Sequence, residues 1–343
     1  MATIYDVAKY AGVSPTTVSS VLNDDPRVKD STRVRVREAV EALGYVRNPN
    51  ARGLAKRETK TIGIIAAIGK QLMPYEDKNE NGPFIHAVSN GIIDRLAQTE
   101  YSVVTDRYRY WEADGELPQI VKNARVDGVI LIGGLFDQEI IKKIRNHGIP
   151  MVGVCVIDDS IDTVNPDLAQ GTYMVTEELL KNGCQNVVLL NAPRCYATSY
   201  TRREGWQQAL QNYPSDSRQH VEVMVEAVTG GGGYYAMKKL WEQGLRPDGV
   251  VTAGETVSLG AMRFLAEQGV KIPQDTSMTA VGNSDLSAYA IPPITTVDIH
   301  EEATGAAAAE LLLKRIKDPD APIEQRFIDV TFIPRDSVCK MES

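Results

Sequence analysis

Pro15, Thr16, Thr17 and Ser20 stand on the outer side of one short amphipathic segment, and their chemistry is that of base and phosphate recognition. A Ser or Thr hydroxyl both donates and accepts a hydrogen bond, and a Thr methyl can meet the methyl of thymine. The other reactive residue types form no catalytic constellation. The chain has no Ser/His/Asp grouping, no H-E-x-x-H, no G-x-G-x-x-G after a strand and no Walker sequence. Its four histidines lack metal-ligand spacing, and Cys155, Cys184, Cys195 and Cys339 are scattered without a C-x-x-C pair. No catalytic residue, metal or cofactor is therefore expected. The glycine cluster Gly230 to Gly233 precedes a helix and reads as a flexible loop or, alternatively, as a phosphate-binding nest.

Two helices and a turn must hold the four recognition residues. Thr3 caps a first helix, with Asp6 three residues on in the manner of a capping box. Ile4, Val7, Ala8 and Ala11 form its apolar stripe. Gly12 ends it and Val13 plugs the core beneath the turn. Ser14 caps the second helix and Pro15 takes its first position, where a missing N–H costs nothing. Val18, Val21 and Leu22 then face inward. That leaves Pro15, Thr16, Thr17 and Ser20 at the end of a recognition helix that meets base edges. A third helix runs from Ser31 to Leu43, with Val34, Val36, Ala39, Val40 and Leu43 as apolar positions and Gly44 closing it. The stretch NPNARGLA, residues 48–55, is only about two turns long, and helices below ~12 residues do not hold alone in water. Gly53 costs it a further ~1 kcal/mol. It is either an order–disorder switch that is helical only when held, or a plain interdomain linker.

Charge follows the same division. The first 60 residues carry 11 Lys/Arg against 7 Asp/Glu, while the whole chain has a net charge of −8, so a basic head sits on an acidic body. At 343 residues the chain accommodates two or three domains. Scattered cysteines, no signal-peptide pattern and no apolar run of ~20 residues lead to the expectation of a cytoplasmic protein.

From Lys60 onward, β-branched runs alternate with amphipathic helices. Strands are expected at 61–67, 101–105, 127–132, 151–155, 186–191, 221–226, 249–253 and 277–281. Helices are expected near 84–98, 116–124, 136–146, 168–181, 202–212, 232–243, 256–268 and 301–316. This alternation predicts two doubly wound parallel sheets with a crevice at the carboxyl ends of the strands.

TIYDVAKYAGVSPTTVSSVLN, LGYVRNPNARGLA and KTIGII together resemble the start of a lactose-repressor (LacI/GalR) family regulator. The resemblance implies an N-terminal all-α helix-turn-helix head over 1–46, a hinge over 47–60, and an α/β two-lobed periplasmic-binding-protein-like body over 61–343. It implies an N-lobe of about 61–161 and 300–329, a C-lobe of about 162–299 and 330–343, and crossings near 162, 299 and 330. It also implies a homodimeric transcriptional regulator, in the first place a repressor, on a near-palindromic double-stranded DNA operator. A small-molecule effector between the lobes, a sugar or sugar derivative, would control it. Pro15, Thr16 and Ser20 would read bases, and Tyr5, Thr17, Ser19 and Asn23 would meet phosphates. In the hinge, Asn50, Ala51, Leu54 and Ala55 would lie on the DNA, with Leu54 as a minor-groove wedge. Ser20 stands where the family often has Arg, so an Arg-to-guanine contact is absent.

In the body, Pro83-Phe84 followed by Gly91 matches the start of the family's first body helix. Arg202-x-x-Gly205-Trp206 matches an R-x-x-G-F element whose Arg clamps effector oxygens. Pro292-Pro293-Ile294-Thr295-Thr296-Val297 matches a P-x-L-T-T-V strand. The candidate effector contacts are Tyr75, Phe84, Arg202, Trp206, Glu255, Ser284 and Asp285; Phe84 and Trp206 may equally be read as core, and Arg202 as a surface helix residue. Three departures from the family pattern put an ordinary hexose pocket in doubt. Gly254-Glu255 replaces Asn-Asp, and Ser284 replaces the Asp of G-[FY]-D, with Asp285 adjacent. The 15-residue segment Ile68 to Gly82 is about ten residues longer than the usual loop. It would overhang the crevice with Tyr75, or be a surface insertion. An enzyme and a solute-binding protein are the rival classes, and neither accounts for the head.

Overall fold

The computed structural model describes residues 3–22, 25–43, 45, 58–68, 82–109, 116–123, 125–214 and 220–339. The chain divides into two units, Met1–Thr59 and Lys60–Ser343. The hinge stretch 48–55, the segment 69–81 and Asn23 lie outside the described residues, and with them the readings of Asn50, Ala51, Leu54, Ala55 and Tyr75.

The first unit contains α1 (Ile4–Ala11), α2 (Pro15–Leu22) and α3 (Asp30–Ala42). Its helix ends follow from local chemistry. Thr3 N donates to Asp6 Oδ2 at 2.8 Å and Asp6 N donates to Thr3 Oγ1 at 3.3 Å, which closes the capping box. Gly12 adopts φ 65°, and Thr17 N donates to Ser14 Oγ at 3.1 Å, so the turn and the second cap form as the sequence predicts. Val7, Ala8, Ala11, Val18, Val21, Val36 and Ala39 make the core. Val34 is a correction: it is 54% exposed. At 100° per residue it lies on the far side of α3 from Val36, and only one of them can face α1. Arg33 takes part of the buried side instead, donating through Nη2 to the Asp25 carbonyl.

The second unit has two six-stranded sheets. The N-lobe sheet contains β1 (Thr61–Ile68), β2 (Ser102–Arg109), β3 (Gly128–Ile132), β4 (Met151–Val154), β5 (Asp162–Pro166) and β11 (Gln325–Ile328), in the order β11-β5-β4-β3-β1-β2. The C-lobe sheet contains β6 (Val187–Asn191), β7 (Val221–Met224), β8 (Gly249–Thr252), β9 (Ser277–Val281), β10 (Thr295–Asp298) and β12 (Thr331–Ile333), in the order β12-β10-β9-β8-β6-β7. All pairs are parallel except β10 with β12. Buried β-branched runs such as GVILI, with every residue buried, are what a sheet covered on both faces requires.

Helices cover both faces. In the N-lobe these are α4 (Gly82–Leu96), the single turn α5 (Gln119–Lys122), α6 (Gln138–Asn146) and α12 (Glu301–Lys317). In the C-lobe they are α7 (Leu168–Lys181), α8 (Thr198–Asn212), α9 (Gly230–Glu242), α10 (Glu255–Glu267) and the short α11 (Asp285–Ala288). None of the described helices is long and apolar enough to cross a membrane.

The first crossing between lobes falls at Asp167, not near 162. Asp162–Pro166 pairs with β4 and with β11, so it belongs to the N-lobe. Arg315 of α12 fixes this strand: its Nε and Nη2 donate to the two oxygens of Asp162 at 2.7 and 2.9 Å. The Asp162 side chain is 1% exposed, and it also accepts Glu324 N at 2.8 Å. The other two crossings lie between β10 and α12 and between β11 and β12. At the crevice end of the N-lobe, α4 and α12 pack backbone on backbone. A Cβ at Gly91 would sit 1.9 Å from the Glu302 carbonyl oxygen, so glycine is what allows this approach.

Candidate nucleic-acid surface and interlobe crevice

In the head, Tyr5 and Thr16 are exposed and Pro15, Thr17, Ser19 and Ser20 are half-buried on α1 and α2. The Thr17 hydroxyl lies 2.9 Å from Ser14 Oγ, so it is held by the cap as well as turned outward. Tyr10, 63% exposed on the same helix as Tyr5 (71%), is an aromatic the motif reading passed over. Its signal was its place outside the Val7–Ala8–Ala11 stripe. Behind this surface Asp25 forms an ion pair with Arg27 at 2.8 Å, and the hydrogen bond from Arg27 holds its carboxyl well down, at about 2. The surface therefore offers hydroxyls and phenols on short, capped helices, the arrangement suited to base edges and phosphates.

In the body the two sheets point the ends of β1, β3 and β4 toward the ends of β6, β8 and β9. The residues that follow these strands line a crevice: Gly133, Gly134 and Cys155 from one lobe, Ala192, Gly254 and Gly282 from the other. Three charged side chains enter it. Arg202 comes from the first turns of α8, Glu255 opens α10, and Glu301 opens α12. Arg202 Nη1 donates to Thr198 Oγ1 at 3.0 Å and to the Thr198 carbonyl at 3.3 Å. Its Nε is buried and has no hydrogen-bond partner. Burial lowers the Arg202 pKa, with no carboxylate among the causes to oppose it. Desolvation likewise pushes the Cys155 thiol up to about 12, which makes it an inert wall residue rather than a nucleophile.

Glu255 is buried, and its Oε1 accepts the Ser284 N–H at 2.6 Å. Gly282, at φ 116°, leaves the space: a Cβ there would lie 2.5 Å from Glu255 Oε2. Glu301 is pushed up to about 7, first by burial and then by the carboxylates of Glu255, Asp298 and Glu302.

Of the expected effector contacts, Phe84, Arg202 and Glu255 line this crevice. Ser284, Asp285 and Trp206 do not. Ser284 Oγ accepts Leu286 N at 3.3 Å and caps α11, so its side chain faces the first turn of that helix. Asp285 follows it into an adjoining outer cleft, shared with His86, Asn90, Asp298 and Glu302. Trp206 lies one helical turn beyond Arg202 and packs into the C-lobe core with Leu168, Leu179 and Val281. Its neighbour Gly205 brings α8 onto α7, where a Cβ would sit 1.9 Å from the Ala169 carbonyl oxygen. Glu301 was not singled out from the sequence. Its only signal was its place in His300-Glu301-Glu302 at a lobe crossing, and only the fold brings it opposite Glu255.

Comparison with known proteins agrees with both parts. The model described as bacterial regulatory proteins, lacI family, matches residues 3–48, and that of the periplasmic binding protein-like domain matches residues 176–338. The HTH-type transcriptional repressor PurR of Vibrio atlanticus is 30% identical over 329 residues, covering 93% of each chain. The ribose operon repressor of Haemophilus influenzae is 27% identical and covers 100% of each. Among solved structures, the lac repressor dimer bound to operator and the anti-inducer ONPF superposes with a TM-score of 0.79, at 26% identity over 98% of each chain.

Proposed function

We propose, from the premise that this chain belongs to the LacI family of bacterial regulatory proteins and is a DNA-binding transcriptional repressor, that its operator affinity is set by a small polar molecule, a sugar or sugar derivative, held between the two lobes. The repressor acts in the cytoplasm as a homodimer on near-palindromic double-stranded DNA. Pro15, Thr16 and Ser20 read bases; Tyr5, Thr17, Ser19 and Asn23 meet phosphates; the hinge residues Asn50, Ala51, Leu54 and Ala55 enter the minor groove. The ligand biases the head only through its differential affinity for two arrangements of the lobes.

One observation carries the effector site. Arg202 is a buried guanidinium in the crevice with an unpartnered Nε and no carboxylate paired to it among the described residues. An unpaired buried charge is costly, and a ligand oxygen would satisfy it. A thermal-shift screen of sugars and their derivatives on the full chain is expected to find a stabilising ligand whose effect Arg202→Ala abolishes. A hit that stabilises the Arg202→Ala variant equally well would contradict the assignment.

A further inference from the structure

The crevice holds more negative than positive charge. Glu255 and Glu301 both line it, and Arg202 is the one basic side chain that does so among the described residues. Glu301 feels Glu255, Asp298 and Glu302, whereas the groups acting on the Arg202 guanidinium are Cys155 and Tyr196. No ion pair to either carboxylate occurs among the described residues. Glu255 is held by the Ser284 N–H and the Gly282 clearance, and Glu301 stands at the start of α12, whose backbone seats closely on α4 at Gly91. The crevice therefore presents two carboxyl groups with no ion-pair partner among the described residues. It also presents a buried guanidinium nitrogen with a free donor.

Resting on the reading of the crevice as the effector site, we propose that the effector is a protonated amine that carries oxygen acceptors, its ammonium between Glu255 and Glu301 and its oxygens toward Arg202. Two like charges repel, and an ammonium between them turns that repulsion into attraction. A phosphate or carboxylate between them would add further negative charge. A neutral sugar would leave the pair unrelieved. Amino sugars and amino acids share the required chemistry.

Titration adds a signature. The charged and titratable groups around Glu301 are Glu255 of α10, Asp298 of β10, Glu302 of its own helix and Cys155 after β4. His300, next in the chain, is engaged by Asp298 at 3.3 Å and Thr331 at 2.9 Å, and His86 of α4 lies on the outer cleft beside Asn90. With Glu301 at about 7, the ionised form that an ammonium requires is the minority at pH 6 and the majority at pH 8. Affinity for an amine that stays protonated at pH 8, such as serine, should rise about tenfold across that interval, and less for an amino sugar, whose ammonium itself begins to lose its proton by pH 8.

The test is calorimetric titration of the full chain with glucosamine, N-acetylglucosamine, glucose, glucuronate and serine at pH 6 and 8. The expected result is binding by glucosamine or by serine, tighter at pH 8, and weakened at least tenfold by either Glu255→Gln or Glu301→Gln. Which of the two binds separates a sugar source from an amino-acid source. Loss of binding on N-acetylation identifies the ammonium as the recognised group. Failure of both amines to bind, or an amine indifferent to both substitutions, overturns the proposal. A neutral sugar that binds and is lost with Arg202→Ala would sink the amine while leaving the crevice assignment standing. A ligand indifferent to all three substitutions would sink the crevice assignment itself.

Discussion

At the scale of single residues, Glu301 is where the body stores an electrostatic cost. Burial and the carboxylates around it raise its pKa from 4.5 to about 7. The folded value lies above the unfolded one, so the stability this group contributes is complete below about 4.5 and is lost as pH rises through 7. Over that window the ligand-free chain should lose ~3 kcal/mol from Glu301 alone. Glu301→Gln should remove that part of the pH dependence and stabilise the protein at pH 8 by a similar amount. Urea midpoints of the two proteins at pH 5 and pH 8 check this, and equal pH dependence would refute it. Arg202 is the cationic counterpart, also buried without an ionic partner, and its family-type motif made it legible before the fold was known. Glu301 was not legible, because its environment is assembled from α10, β10 and α12, which lie far apart in sequence.

At the scale of elements, local chemistry was read correctly where it is local. The Thr3–Asp6 box, the Gly12 turn and the Ser14 cap each depend on residues within four positions, and each forms. The alternation of strands and helices was likewise visible, because buried parallel strands are continuous apolar runs. What failed to show was whatever needs a partner. Asp162–Pro166 reads as polar and turn-like, yet it is a strand because β4 and β11 flank it and Arg315 neutralises its buried Asp162. Val34 had the right residue type but the wrong side of α3, and Ser284 became a helix cap rather than a crevice residue. The same dependence on partners gives a prediction for the N-lobe. Arg315→Ala leaves Asp162 charged and buried, and should destabilise the chain by roughly 3 kcal/mol, read as a lower urea midpoint. A loss below about 1 kcal/mol, the range of an exposed pair, would mean that the bridge is peripheral.

At the scale of the whole molecule, the chain separates recognition from sensing. The head is small, with a core of seven buried side chains, all of them valine or alanine, and its candidate DNA contacts include hydroxyls and phenols but no arginines. With no Arg at position 20, more of the head's affinity should rest on phosphate contacts, so operator binding should be strongly salt-dependent. The body supplies two mostly parallel sheets facing one another across a crevice lined by one guanidinium and two carboxyl groups. Sensor and reader communicate only if a ligand in that crevice changes DNA affinity, since a ligand with equal affinity for both lobe arrangements shifts nothing.

The most direct measurement is therefore operator affinity of the full chain, on DNA selected from a random pool, with and without a saturating crevice ligand, beside the Arg202→Ala variant. The ligand should change wild-type affinity at least fivefold, on the scale of ordinary allosteric coupling. The variant should bind the same DNA as tightly as ligand-free wild type and ignore the ligand. An equal response from the variant, or unchanged wild-type affinity with the crevice filled, would contradict this coupling.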